Sequence, residues 1–215
     1  KTSQIQALKT SQVAALTTDQ VAQGLTTAQI VALTTGQVSS GLTTGQIAAL
    51  TTTQVAAIET QDIAALKTTQ VQALSTSQVQ AGLTTAQVVA LSTGQIQSLT
   101  TGQVVALSTT QVAALETRDV AALKTSQVAV LTTDQVQSGL TTTQVAALTT
   151  GQVALGLTTA QVVALSTAQV QSLTTGQVVS LSTNNVAALE TQDVAALKTS
   201  QIQALKTSQV AALTT

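Results

Sequence analysis

Residues Lys1–Thr18 read KTSQIQALKTSQVAALTT, and the same eighteen letters return as Lys198–Thr215, an offset of 197 residues. Between the two copies the chain is a run of short segments that follow the pattern [TSKE]-T-x-[QD]-[VI]-x-x-[LI]. Such repetition is typical of solenoids and fibres, in which each repeat contacts mainly its neighbours. We therefore interpret the chain as one period of a longer array and expect a single continuous repeat domain over residues 1–215.

The array contains 26 units, from Lys1–Leu8 to Lys206–Leu213, each marked by the Val or Ile at its fifth position. Twenty spacings between successive fifth positions are eight residues and five are nine. Each nine-residue unit carries an extra glycine before its final leucine, and these glycines are Gly24, Gly41, Gly82, Gly139 and Gly156. Because glycine accepts positive φ, we expect them to form helix ends or bends.

The spacing of the apolar residues predicts helical units. The fifth and eighth residues lie three apart, on one face of a helical turn, and the residues between them are mostly alanine, a strong helix former. In a β-strand the same two residues would face opposite sides. We predict an all-α fold, a solenoid of very short helices with one per 8–9-residue unit, forming a thin rod. The alternative is a β-solenoid with 24-residue coils, which the many β-branched residues permit.

Threonine predicts where each helix begins. The second residue is Thr in all 26 units, and Thr is a favourable N-cap. In this register, replacing Thr109 by Ala should cost about 1 kcal/mol through loss of a cap. Where the first residue is Thr or Ser, the pattern T-x-x-Q also fits a capping box that begins one residue earlier. Both registers start the helix at nearly the same place and bury the fifth and eighth residues.

The composition excludes most kinds of site. The 215 residues include no aromatic residue, Met, Cys, His or Pro; 7% are charged, and the net charge is −1. Without His or Cys, no Ser-His, Cys-His or His-metal arrangement can be built. We expect no enzyme activity, no catalytic, cofactor-binding or metal-binding residues and no cofactor. Since the chain has no basic footprint and no long apolar run, we expect no nucleic acid, no membrane insertion and no small-molecule substrate.

Three units begin with Glu and carry Asp at the fourth position, and a unit that begins with Lys follows each. The acidic pairs are Glu59 with Asp62, Glu116 with Asp119 and Glu190 with Asp193; the lysines are Lys67, Lys124 and Lys198. A carboxylate pair is a candidate for acid–base chemistry, but its recurrence in three equivalent contexts favours a structural role. Glu and Lys eight residues apart predict either a solvated ion pair or a charge mark that fixes the register of the repeat.

Two resemblances add to this interpretation. Leu157–Ala164 (LTTAQVVA) resembles the opening helix of the DNA-binding repeats of plant-pathogen transcription activator-like effectors, L-T-P-x-Q-V-V-A. The Pro and the base-reading loop are missing, so this resemblance implies a helix start and no DNA binding. The whole chain is similar in style to the tandem repeat regions of giant bacterial secreted or surface proteins, adhesin-like or filament-forming. That resemblance implies an extracellular or cell-surface location and a place in a stalk, fibre or biofilm matrix.

We therefore predict a structural protein that forms an elongated fibre, stalk or filament subunit. Its expected partners are neighbouring repeats of a longer chain and other copies of itself. Five sixth-position valines are expected to form exposed apolar spots for such contacts, and they are Val31, Val89, Val105, Val163 and Val179. The alternative is that the threonine rows bind water or ice, or form a surface-adhesion module.

Overall fold

The chain divides into two compact bodies, Lys1–Leu107 and Ser108–Thr215, and the computed structural model describes residues 1–213. Across the described residues every unit contains one helix of five or six residues, and no strand is present. The prediction of an all-α solenoid with one short helix per unit is confirmed. The alternative of 24-residue β coils is wrong, because the V-x-x-L spacing places both apolar side chains on one helical face.

The helices of the first body are α-helical except in three units. The α-helices are Thr2–Gln6, Thr10–Ala14, Thr27–Val31, Thr44–Ala49, Thr52–Ala57, Thr60–Ala65, Thr68–Ala73, Thr85–Ala90, Thr93–Ser98 and Thr101–Ala106. The π-helices are Gln20–Gly24, Gln37–Gly41 and Gln78–Gly82.

The second body has the same construction. Its α-helices are Thr109–Ala114, Thr117–Ala122, Thr125–Ala129, Thr142–Ala147, Thr150–Leu155, Thr159–Ala164, Thr167–Ser172, Thr175–Ser180, Thr183–Ala187, Thr191–Ala196, Thr199–Ala204 and Thr207–Ala212. Its π-helix is Gln135–Gly139.

Each α-helix begins at the second residue of its unit, so its N-cap is the first residue. In the unit 51–58, Thr51 has extended backbone angles (φ −70°, ψ 158°), and its hydroxyl accepts from the backbone N–H of Gln54 at 3.1 Å. The Gln54 side chain accepts from the Thr51 N–H at 2.9 Å, which completes a capping box. The capping-box register is confirmed. The N-cap assignment of the second-position threonine is wrong, and Ser108, not Thr109, caps its helix.

The core is formed by the residues that the spacing predicts. Val55 is fully buried and Ile58 is 4% exposed, and fifth and eighth residues are buried in the same way through most of both bodies. The string Leu157–Ala164 also contains the expected helix start, at Thr159. Side chains that lie three apart on such a short helix cannot cover one another, so their burial depends on other units.

Successive coils of each body are related by a constant number of units. The helix Thr85–Ala90 packs against Thr60–Ala65, which belongs to the unit three before it. The helix Thr167–Ser172 packs in the same way on Thr142–Ala147 in the second body. Side chains at the fourth position reach one unit further back, as described below. A coil therefore contains between three and four units.

The nine-residue units accommodate their extra residue without breaking this pattern. Four of the five contain a π-helix. In three of these the final leucine donates to the carbonyl five residues back, as Leu83 does to Gln78 at 2.9 Å. A π-turn is the helical form of a one-residue insertion. Four of the glycines in these units end a helix, as expected, but no glycine among the described residues has a positive φ, so the reason given for them is wrong. A Cβ on Gly82 would lie 3.1 Å from Cβ of Val55, so the glycine is required by close packing between coils.

Candidate functional site: a buried glutamine ladder

The fourth residue of the unit is the most unusual side chain in the molecule, because it is polar and buried. From Gln37 onward, each fourth-position glutamine is at most 3% exposed. A buried carboxamide is costly unless its donors and acceptor are hydrogen-bonded. We call the fourth-position glutamines from Gln37 to Gln209 the glutamine ladder.

Gln87 shows how such a side chain is satisfied. Its Oε1 accepts from the backbone N–H of Thr84 at 2.8 Å, which caps the start of its own helix. Its Nε2 donates to the carbonyl oxygens of Val55 at 2.8 Å and Ile58 at 2.6 Å. Both acceptors lie at the end of the helix four units earlier, where the last carbonyls lack full helical bonding. The Val55 carbonyl also accepts from the Ile58 N–H at 3.1 Å. One side chain therefore caps the N-terminus of its own helix and the C-terminus of a helix in the preceding coil.

The same pair of amide bonds recurs in both bodies. In the first body it is made by Gln37, Gln46, Gln54, Gln70, Gln78, Gln87, Gln95 and Gln103. In the second it is made by Gln144, Gln152, Gln161, Gln169, Gln177, Gln201 and Gln209. In every case the acceptors belong to the fifth and the final residue of the unit four before.

Sequence reasoning assigned the ladder glutamine to the capping box and missed its amide bonds. The amide bonds could have been predicted from the fourth position, which is nearly always Gln and stands next to the buried fifth residue. An exposed capping residue tolerates several polar types, whereas a side chain that must accept at one end and donate twice at the other has to be a carboxamide. Asn185 is also a carboxamide but has a shorter side chain, and its amide donates to the Leu157 carbonyl at 3.2 Å.

The acidic units replace the ladder amide with a carboxylate. Asp62 is 1% exposed, and its Oδ1 accepts from the hydroxyl of Thr35, three units earlier, at 2.6 Å. Asp193 accepts from Thr167 at 2.8 Å in the same way. Burial raises the pKa of the Asp62 carboxyl above its ordinary value; the Thr35 hydrogen bond opposes this shift, and the charge of Glu59 adds to it. The second-position threonine, which was expected to be a cap, here donates its hydroxyl to the carboxylate of the next coil.

The predicted Glu–Lys pairs are not formed among the described residues. No ion pair joins Glu59 to Lys67, and none joins the equivalent residues of the other two acidic units. The glutamates instead bind the third residue of their own unit. Gln61 donates to Glu59 at 2.8 Å, and Arg118 lies 2.6 Å from Glu116. Neighbours within one helical turn are reached at lower cost in side-chain entropy than residues of the next unit.

The surface carries a cleft and several exposed apolar side chains. A shallow cleft of about 480 Å³ in the first body is lined by polar residues that include Glu59, Gln61 and Thr84. The expected sixth-position valines are exposed at Val31 (44%) and Val163 (43%), and the seventh-position Leu155 is 80% exposed.

Residues 1–213 contain neither a bilayer-spanning helix nor a cluster of metal-ligand side chains. All described helices are too short and too polar to cross a bilayer. This part of the chain contains no group of three or more acidic, His or Cys side chains arranged to hold a metal ion.

Comparison with known proteins identifies a repeat family. A family profile described as the ALTTAQ repeat matches residues 23–52, 55–93, 88–117, 112–150, 155–183 and 186–215. No curated protein matches the chain. The six-letter name spans the end of one unit and the start of the next, as in Ala32–Gln37 (ALTTGQ), and its last letter is the ladder glutamine. Because the six matches cover most of the sequence, the chain belongs to the ALTTAQ repeat family.

Proposed function

We propose that the chain is a structural array, and that it serves as an elongated extracellular fibre, stalk or filament subunit and not as an enzyme. The observation that carries the proposal is the glutamine ladder. It uses the nearly constant carboxamide at the fourth position of the unit for bonds between coils of the same chain. Such an arrangement supports length and cohesion, because each added unit brings its own ties to the preceding coil.

The extracellular part of the proposal is supported by composition. The chain has no Cys and no Met, and it is rich in Thr, Ala, Gln and Val. Sulfur side chains are oxidation liabilities, so their absence suits an exposed, oxidising environment. Antibody labelling of intact and lysed cells of the source organism tests this part. Labelling only after lysis would contradict the location and leave the structural role standing.

The structural role is tested by lengthening the array in register. Residues 1–197 fused to residues 1–215 keep the unit pattern unbroken through the shared eighteen residues. We expect the maximum dimension from small-angle scattering to increase roughly in proportion to unit number, with unchanged helical signal per residue. A fusion that is no longer than the single chain would contradict an elongated array. As the control, the two copies are joined after deletion of four residues at the junction, which breaks the unit register.

The exposed valines support lateral contact with other copies. Val31, Val89, Val105 and Val163 are each 40% exposed or more, on a surface with few charges to keep neighbours apart. Weak contacts repeated along an array add by avidity. Replacing these four and Val179 with Gln should reduce filament width or sedimentation rate. Unchanged width would mean that these valines are not the lateral contact.

A further inference from the structure

The acidic unit 59–66 occupies a place in the ladder without an amide to donate. A ladder residue donates to the fifth and the final residue of the unit four before, which for Asp62 are Ile30 and Leu33. The Ile30 carbonyl accepts from the Leu33 N–H at 3.1 Å, whereas the Leu33 carbonyl accepts no hydrogen bond from the described residues. Leu33 is only 5% exposed. A buried carbonyl oxygen without a donor is costly, so this contact between coils lacks a hydrogen that the ladder glutamines supply elsewhere.

Asn185 shows where a short side chain ends when it stands at the fourth position. Its Oδ1 accepts from the hydroxyl of Thr159, three units earlier, at 3.2 Å. Its Nδ2 donates to the carbonyl of Leu157, four units earlier, at 3.2 Å. A side chain with a single methylene therefore reaches both the threonine and the final carbonyl of the preceding coil.

Asp62 has the same length and makes the same first contact. Its Oδ1 accepts from the hydroxyl of Thr35, three units earlier, at 2.6 Å, and the side chain is 1% exposed. The shared contact and the shared length place the second carboxyl oxygen, Oδ2, opposite the Leu33 carbonyl, where Asn185 has its amide nitrogen. Two buried acceptor oxygens that face each other need a hydrogen between them.

The elements that pack against this carboxyl carry no titratable side chain. The helix Thr60–Ala65 packs against Thr85–Ala90 and Gln37–Gly41, and neither contains an acidic or a basic residue. The unit 26–33, which provides the Leu33 carbonyl, contains none either. No positive charge from a packed element therefore balances an ionised Asp62.

The charged residues nearest in sequence do not balance it. Lys67, in the next unit, forms no ion pair with Asp62. Burial raises the pKa of the Asp62 carboxyl, the Thr35 hydrogen bond lowers it, and the charge of Glu59 raises it again. The surroundings therefore favour the neutral acid.

We propose that Asp62 carries a proton on Oδ2 and donates it to the Leu33 carbonyl, so that the neutral acid serves as the ladder residue of its unit. In this form one oxygen accepts from Thr35 and the other donates to Leu33, which is the hydrogen-bond polarity of Asn185. The proton is taken from solvent and returned to it, and only the O–H bond forms or breaks.

The proposal makes the contact of unit 59–66 with the preceding coil dependent on pH. The ladder glutamines hold other coils with amides, which do not titrate. As the pH rises and the proton leaves, this contact should open before those made by glutamine. The proposal rests on the proposed structural function and adds a condition under which one contact of the array holds.

Carbon-13 NMR of the full chain tests the position of the proton. The side-chain carboxyl carbon of Asp62 is followed with pH, together with the backbone carbonyl carbons of Leu33 and of Ile58, which binds the amide of Gln87. We expect Asp62 to titrate above its ordinary value of 3.8, the Leu33 carbonyl to shift with the same midpoint, and the Ile58 carbonyl to stay unchanged. A carboxyl that titrates at the ordinary value, or a Leu33 carbonyl that does not follow it, would overturn the proposal.

Two substitutions separate the proton from the packing of the side chain. Asp62→Asn keeps the length and supplies a permanent donor, as Asn185 does, and Asp62→Gln restores the ladder amide. Hydrogen exchange of the backbone N–H groups of unit 59–66 is compared between wild type and each variant at the same pH, which cancels the intrinsic pH dependence of exchange. We expect equal rates at acidic pH and at least about tenfold faster exchange in the wild type at neutral pH. A ratio that is the same at both pH values would contradict a contact closed by a proton.

The unit 51–58 provides the control within the same measurement. Its ladder residue is Gln54, so its exchange rates should be the same in the wild type and both variants at either pH. Equal acceleration of both units would indicate global destabilisation and would overturn a local opening at Asp62. The proposed structural function is judged separately, by the length of the in-register fusion, which does not depend on this proton.

Discussion

Two consecutive units of the first body, residues 51–58 (TTTQVAAI) and 59–66 (ETQDIAAL), have the same fold but different ties to the preceding coil. Both contain a six-residue helix, and both bury their fourth residue, Gln54 at 3% exposed and Asp62 at 1%. Gln54 donates to Val21 at 2.9 Å and Leu25 at 2.7 Å. Asp62 has no hydrogen to donate when ionised, and it accepts from the Thr35 hydroxyl.

The difference shows that the fold tolerates an exchange of hydrogen-bond polarity at a buried position. The amide binds carbonyls four units back, whereas the carboxylate binds a hydroxyl three units back. Both connections join adjacent coils, so packing is kept while the chemistry changes. The carboxylate also introduces a pKa raised by burial, which the amide unit lacks.

The largest loss of stability is expected when the fourth residue of unit 51–58 is replaced by the one that unit 59–66 carries. Gln54→Asp removes both amide bonds and buries a carboxylate above two carbonyl oxygens. We expect a loss of about 3–5 kcal/mol in unfolding free energy, measured by urea denaturation followed by circular dichroism at 222 nm. Gln80→Asp, at an exposed position, is the control and should change little. A loss for Gln54→Asp no larger than that of the control would mean that the ladder does not hold the coils together.

Removing the partner of the carboxylate should have the next largest effect. Thr35→Val keeps the branched shape and deletes the hydroxyl that donates to Asp62. A hydrogen bond to a charged group contributes about 2 kcal/mol, and we expect a loss of that size in urea denaturation. Thr27→Val, at the equivalent threonine that faces the Gln54 unit, is the control. Equal losses at the two positions would show that the effect comes from the threonine itself and not from its contact with Asp62.

A smaller difference in stability is expected between substitutions at the N-caps of the two helices. Thr51 caps its helix through its hydroxyl, whereas Glu59 makes no side-chain cap bond. Thr51→Ala should cost about 1 kcal/mol through loss of the N-cap, measured from the thermal unfolding curve. Glu59→Ala should cost clearly less. The reverse order would contradict the assignment of the N-cap to the first residue of the unit.

The smallest effect is the pH dependence that Asp62 adds. Its pKa is raised from the ordinary value of 3.8, so the folded chain binds this proton more tightly than the unfolded chain does. The stability from Asp62 is fully present below pH 3.8 and is lost as the pH rises through the raised pKa. Relative to Asp62→Asn, the wild type should therefore become less stable between acidic and neutral pH in urea titrations. Exposed Gln80→Asn is the control; it changes an amide without adding or removing a titratable group, and it should leave the wild-type pH profile unchanged.

The sequence predicts the parts of this comparison that depend on local spacing. The unit boundaries, the helix and the buried Val55 follow from residues within one unit. The partners of Gln54 do not, because they lie 33 and 29 residues earlier. Identifying them requires the number of units in a coil, which no pattern within the octad contains. The expectation for Gly82 was wrong for the same reason. The glycine lies close to Val55 of the preceding coil, and the sequence pattern was interpreted instead as a local need for positive φ.

Because π-turns absorb the extra residue of the longer units, the length of the array can change by whole units. The ladder spans four units whether the glutamine lies 28 residues after its leucine acceptor, as Gln70 does after Leu42, or 30, as Gln46 does after Leu16. The glutamines therefore register whole units rather than residues. A recombination event that adds or deletes complete units shifts every ladder partner by the same step and leaves each bond with an equivalent acceptor. The array can therefore change length by whole units with no compensating substitution among the remaining units.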